Sequence, residues 1–285
     1  MSIPLVFRHL VDDAAVFPPG LAPLPRAVTE HAGHLASAHA DLVGPLVVAA
    51  ADLDDLARLA EPGLFPAGLR VSVVAGCAAV PAVLDTIAAT DRIVLAALEL
   101  KPDPTLAVAA QFAELSSSSS VDLPATVYVE VPRPGHREWE QVLAAVARHG
   151  FRLKFRTGGT EAAAFPTEDE VAAWVHGAVV AGVPFKCTAG LHNAVRHTGR
   201  DTGFEHHGYL NVLLAAARAR AGATLPGIRA ALAERDPDTV AREVGALPAS
   251  EAADARSAFT SYGSCSVLEP LDDLVALRLL APTSA

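Results

Sequence analysis

The sequence predicts an α/β protein of the (β/α)8 (TIM) barrel class, a single domain over residues 1–285. Three observations carry this expectation. Eight short runs rich in Val, Leu and Ala alternate with helical patterns, and such alternation builds a parallel sheet. The length, 285 residues, is that of one barrel. No GxGxxG follows the first or second strand, so an open dinucleotide-binding sheet lacks its fingerprint.

Taken in order, the apolar run 5–11 is the first strand, ending in Asp12-Asp13, and an amphipathic helix covers 25–40 after the stiff Phe17-Pro18-Pro19-Gly20 loop. Strands at 45–51, 69–75 and 93–100 alternate with helices at 53–60, at 80–90 and, beyond Pro102 and Pro104, to about Leu115. The serine run 116–120 reads as a solvated loop. Strand five is 125–131, stopped by Pro132 and Pro134, with a helix over 137–149. Strand six opens at Phe151. Thr167 followed by Glu168-Asp169-Glu170 is an N-cap with acids in the first turn, starting a helix to Ala181. Strand seven is 183–188. A long loop follows, 190–206, then helices at 208–221, 226–234 and 237–244, a last strand at 258–262 and a closing helix at 270–280. The extra helices and loop between strands seven and eight thus fall within 190–256.

Hydrophobic residues make up 51% of the chain and aromatics only 5%, a composition suited to helices packed on a parallel sheet. A net charge of -10 argues against nucleic acid as partner. No apolar run reaches the roughly 20 residues that span a bilayer, and the N-terminus has no secretion-signal pattern. Cys77, Cys187 and Cys265 are far apart with no CxxC. A cytoplasmic protein acting on small molecules is expected, and its alanine-rich helices leave a homo-oligomer open.

Barrel chemistry sits at the C-terminal strand ends. Polar residues there are Asp12 or Asp13, Asp52, Ser72, Glu99, Glu130, Lys154, Arg156, Lys186 and Thr188. In FRLKFRTGG, residues 151–159, Lys154 and Arg156 share one face while Leu153 and Phe155 take the other; Lys186 and Thr188 do the same in strand seven. Both strands run into glycine, at Gly158-Gly159 and Gly190, where backbone can approach a ligand. Glu99 and Glu130 against Lys154, Lys186 and Arg156 leave an excess of about one positive charge, so an anionic substrate is expected. A lysine attacks a carbonyl as free amine, and a neighbouring ammonium is one way to release that amine. Glu130 or Glu99 would move the protons.

Leu153-Lys154-Phe155-Arg156-Thr157-Gly158-Gly159 resembles the strand-six KTSTG-type motif of class I aldolases of the deoxyribose-phosphate aldolase kind. Phe185-Lys186-Cys187-Thr188-Ala189-Gly190 is similar to their strand-seven KxSGG motif. The resemblance implies a Schiff-base barrel with Lys154 as nucleophile, Lys186 as its activating neighbour, Glu99 in the place of a strand-four aspartate and no cofactor. Arg156 stands where that family has a small hydroxyl residue.

The 190–206 loop carries His192, His197 and His206, with His207 beside it and Arg196 within. His192 is a candidate general acid or base, Arg196 a substrate contact, and the loop a lid. With Glu99 and Glu130, His192 also makes the alternative reading, a divalent-metal hydrolase or isomerase. His207 reads as a surface or capping residue, and His31, His34, His39, His136, His149 and His176 read as structural or exposed. Ser264 and Ser266, after the last strand, are candidate anion binders beside the closing helix. Cys265 reads as a small packing residue. The expected function is therefore an aldolase-type lyase acting on a small anionic carbonyl compound; a non-catalytic ligand-binding barrel is the third reading.

Overall fold

Eight strands close on themselves: β1 (Val11–Asp13), β2 (Val43–Ala49), β3 (Leu69–Gly76), β4 (Ile93–Lys101), β5 (Thr126–Glu130), β6 (Arg152–Arg156), β7 (Phe185–Thr188) and β10 (Phe259–Ser264). Every neighbouring pair is parallel, in the order β1-β10-β7-β6-β5-β4-β3-β2. This is the (β/α)8 barrel that the alternation predicts. The computed structural model describes residues 3–118, 126–136, 138–200 and 202–282. The serines from 119 on, the start of strand five at Ala125 and the helix start at Arg137 lie outside the described residues.

Helices α1 (Leu24–Leu35), α2 (Leu53–Leu59), α3 (Val80–Ala88), α4 (Val108–Ser118), α5 (Trp139–Arg148) and α6 (Glu168–Val180) each follow a strand. The serine run is therefore partly helical, since α4 continues to Ser118. After β7 come a two-stranded antiparallel ribbon, β8 (His197–Thr198) and β9 (Glu205–His206), and four helices: α7 (Tyr209–Arg220), α8 (Leu225–Ala233), α9 (Pro237–Gly245) and α10 (Ala249–Ala258). Helix α11 (Leu268–Ala276) follows β10. Among the described residues no helix is long and apolar enough to cross a membrane.

The two-residue period of strand side chains sorts the sheet into two layers. Leu153, Phe155, Phe185 and Cys187 are buried toward the helices, where Phe155 stacks on Trp174 with centroids 4.9 Å apart and on Phe185 at the same distance. Inside the barrel, the Cα register places Glu130 beside Lys154, Lys154 beside Lys186 and Lys186 beside Ser261. One ring of the barrel is thus polar and charged. Helix α6 starts where the sequence placed it: Thr167 accepts from the Glu170 N–H, and the Glu170 carboxylate accepts from the Thr167 N–H, a complete capping box.

Strand one departs from expectation. Residues 5–7 form a 3-10 turn after Pro4, His9 takes a left-handed backbone (φ 49°), and only Val11–Asp13 pairs. The chain is pinned there by hydrogen bonds from the His9 N–H to Asp41 O and between His9 Nδ1 and Val43 O. Gly44 on β2 leaves the space that the Asp12 side chain fills, since a Cβ there would collide with Asp12 Oδ1. The last strand also differs: Ser264 ends β10 rather than following it, and α10, which the sequence pattern does not predict, leads straight into it.

Candidate functional site

The floor of the barrel mouth is an ion-pair chain of five side chains, four of them buried and the fifth, Glu130, half-buried. Lys186 Nζ donates to Asp12 Oδ2 at 2.5 Å and to Glu99 Oε1 at 2.6 Å; Lys154 Nζ donates to Glu99 Oε2 at 3.2 Å and pairs with Glu130 Oε2 at 3.2 Å. Ser72 and Ser261 hydroxyls complete it, donating to Glu99 Oε1 (2.7 Å) and Asp12 Oδ2 (2.8 Å). The face of Tyr128 covers the Lys186 ammonium, 5.3 Å from its ring centroid. Glu99 therefore bridges two lysines that sit side by side on neighbouring strands.

Burying these charges without partners would cost several kcal/mol each, and the pairing decides which stay charged. Burial pushes the Glu99 carboxyl up, but Lys186 and Lys154 together outweigh it and hold its pKa at about 2. Burial likewise works against the Lys186 ammonium, yet Asp12 and Glu99 raise its pKa well above the ordinary lysine value. For Asp12 burial wins, and its carboxyl stays above the usual range despite Lys186. Burial also raises Glu130, but Lys154 and Arg156 hold it below its ordinary value. Counting Asp12, three carboxylates face three cations, so the positive excess expected from sequence is cancelled.

Above the floor opens a cavity of about 770 Å³. Lys154, Glu99 and Glu130 reach it from below, whereas Lys186 lies beneath its surface. Its wall is apolar on the β1–α1 side, at Phe17, Pro18 and Pro19, and again at Val47, Val74 and Phe165. Its rim carries Lys101, Arg156 and Glu161. Arg156 Nε donates to Glu130 Oε1 at 3.1 Å, and its side chain remains 47% exposed, with both terminal nitrogens free of partners among the described residues.

Of the other expected residues, Thr188, Gly159, Gly190 and His192 line the cavity. Gly158 does not. A Cβ on it would stand 2.8 Å from Gly190 Cα, so this glycine lets the turns after β6 and β7 pack backbone to backbone. Thr157 locks the same contact by donating to Ala189 O at 2.6 Å. Arg196 is also away from the cavity: its guanidinium pairs with Glu168 and Glu205, each at 3.1 Å, and ties the β8–β9 ribbon to α6. Ser264 and Ser266 also serve the turn before α11, their hydroxyls accepting the N–H groups of Ser266 (3.3 Å) and Glu269 (3.2 Å) while each keeps its own O–H to donate.

His192 sits 3.2 Å from Glu269 Oε2 through Nδ1, with Cys265 Sγ 3.7 Å from the same nitrogen. Cys265 is half-buried and lines the cavity, where sequence had read it as packing. Glu99, Glu130 and His192 do not form a cluster placed to hold a metal ion, and no group of three such ligands exists among the described residues. His207 corrects its surface or capping reading, whereas His31 is structural, within its own. His207 is fully buried and held near a pKa of 4 by burial, between Pro166 O (2.8 Å) and Arg196 (3.2 Å); His31 is buried against Asp13, at 2.9 Å. Asp12 was among the polar strand ends, but its role waited on the true course of β1. Glu269 carried no sequence signal beyond its place before Pro270.

No protein-family model matches the chain, and no curated protein or solved structure matches it significantly.

Proposed function

We propose that this barrel is an aldolase-type lyase that binds a small anionic carbonyl compound as a Schiff base on Lys154. The observation that carries the reading is the contrast between the two lysines. Lys154 opens into the cavity between Glu99 and Glu130, while Lys186 is locked below it as a permanent ammonium by Asp12 and Glu99.

The chemistry follows from that division. Lys154 gives up one proton, with Glu130 the cavity-facing carboxylate in reach, and its free amine adds to the substrate carbonyl. Loss of water leaves a protonated imine, which draws in the electron pair of the adjacent C–C bond as that bond breaks. The positive charge on Lys154 is the same before and after imine formation, so the balanced floor suits both states. Arg156 and Lys101, on the rim, are the groups that would meet an anionic tail. The three free cysteines fit the reducing, cytoplasmic setting expected from sequence.

Trapping tests this. Protein incubated with acetaldehyde, pyruvate or dihydroxyacetone and then reduced with borohydride should gain the mass of one carbonyl on the peptide containing Lys154. Lys154→Met should gain none there. Absence of the adduct with every probe, or undiminished C–C cleavage in Lys154→Met, removes the Schiff-base reading.

A further inference from the structure

We infer that His192, held in place by Glu269, is the acid–base residue for the second carbonyl partner, the one never attached to Lys154. The inference rests on the Schiff-base reading and extends it to the other half of the reaction. When a C–C bond beside an iminium breaks, its electron pair flows into the nitrogen, leaving an enamine. The carbinol carbon becomes a carbonyl only if its hydroxyl proton is removed at the same time. In the reverse direction that proton is returned to the new alkoxide. A base for this step must face the cavity and must not already be consumed by cations.

The floor does not offer one. Glu99 accepts from Lys186, Ser72 and Lys154, and Glu130 is held between Lys154 and Arg156. Those cations hold both carboxylates below their ordinary pKa, and Glu130 is already the acceptor for the proton that Lys154 releases. Cys265 is no alternative, because burial and then Glu269 raise its thiol and keep it neutral. His206, the other imidazole on the wall, is packed against Phe165 (4.6 Å) and His197 (5.1 Å), with Nδ1 3.4 Å from Gly190 O.

His192 meets the requirement and is fixed from behind. In the tautomer that directs Nδ1–H at Glu269 Oε2, 3.2 Å away, Nε2 carries the lone pair, with Cys265 Sγ 4.0 Å from it. The loop itself is held by the same helix: Asp273, one turn beyond Glu269 on α11, accepts from the Ala194 N–H at 2.7 Å and from Asn193 Nδ2 at 3.3 Å. On the other side Leu191 is fully buried, and Ala189 and Gly190 take left-handed backbones (φ 62° and 80°) that turn the chain toward the cavity. One face of α11 thus sets both the loop and the imidazole. Glu269 is the positioning residue; His192 is the group that touches the substrate hydroxyl.

Two half-reactions separate the roles. In D2O, the protein should exchange the methyl protons of acetaldehyde through its enamine, a step that needs the Lys154 iminium and a base for the α-carbon proton, with Glu130 in reach, but no proton transfer at a second carbonyl. Addition of acetaldehyde to propanal needs the second proton transfer as well. His192→Gln should keep the exchange and lose about 100-fold in addition, and added imidazole should restore part of the addition in His192→Gly. Glu269→Gln should lose addition without losing exchange, and Glu269→Asp should recover some of it. Addition unchanged in His192→Gln, or exchange and addition falling together, overturns the inference. Failure of the wild-type protein to form the Lys154 adduct overturns the Schiff-base reading instead, and the inference with it.

Discussion

The floor and the rim of the cavity solve opposite problems with the same residue types. On the floor, Asp12, Glu99, Lys154 and Lys186 are almost wholly buried and their partners are supplied by the fold. On the rim, Arg156 and Lys101 reach water and leave donors unspent. Buried charge must be matched when the protein folds, so the floor is rigid and its protonation states are set before any substrate arrives. Exposed charge costs little to leave unmatched, so the rim is where an incoming group can change the balance. The floor accounts for reactivity and stability together, whereas the rim accounts for selectivity with little effect on stability.

The largest effect expected from this contrast is Lys186→Met. It removes the only cation paired with Asp12 among the described residues and one of two on Glu99, both in the barrel interior. Breaking a buried pair from one side typically costs about 3–5 kcal/mol. Denaturant unfolding at pH 7 should show a loss of that order. The deficit should shrink as pH falls and Asp12, already above its usual range, takes up a proton. Adding Asp12→Asn should recover part of the loss. A deficit under about 1 kcal/mol at pH 7 would mean that water reaches the floor and that the contrast is wrong.

Next comes the acid limb of stability. Glu99 is held at about 2, below its ordinary 4.5, so the folded state prefers it ionised. A depressed carboxylate contributes fully above its unfolded pKa and loses that contribution as pH falls toward the folded value. The window is pH 4.5 down to 2, and the amount is about 3 kcal/mol. Asp12 shifts the other way: its protonation favours the folded state as pH falls from its raised folded pKa to 3.8, which masks only the upper part of the slope. Comparing unfolding free energy at pH 5 and pH 3 in the wild type and in Glu99→Gln isolates the effect. The wild type should lose more on acidification, and equal slopes would dissociate Glu99 from the balance.

How much of this was legible in the sequence also divides between floor and rim. Strand period alone puts Glu130, Lys154 and Lys186 on the inner face, because a two-residue repeat admits only two phases and Leu153, Phe155 and Phe185 claim the other. Glu99 was legible as a lone charge closing an apolar run, although a register shift in the β3–β4 pairing alters the phase upstream of it. Asp12 was seen but given no partner, since its strand begins six residues later than its apolar pattern does. The turn and loop residues were the least legible. Ser264, Ser266, Gly158 and Arg196 have the composition of ligand contacts, and each is committed to a local bond or a backbone contact. Which way a loop side chain points depends on the element packed against it. For His192 that element is α11, some 77 residues away in sequence.

The smallest expected effect is on the rim, at Arg156→Ala. Its side chain is 47% exposed and its one ion pair among the described residues is with Glu130, which keeps Lys154, so stability should change by no more than about 0.5 kcal/mol. Ligand choice should change instead. The terminal guanidinium nitrogens can grip a carboxylate through two parallel hydrogen bonds, and losing such a contact costs on the order of 1.4 kcal/mol, or tenfold in affinity. The pyruvate concentration giving half-maximal borohydride trapping on Lys154 should therefore rise about tenfold, while that for acetaldehyde, which has no anionic group, should stay where it was. Arg156→Lys should fall between, since an ammonium keeps the charge but loses the fork. A parallel loss for both probes would move Arg156 into the floor's circuit through Glu130. No loss for either would leave Lys101 as the anion-binding group on the rim.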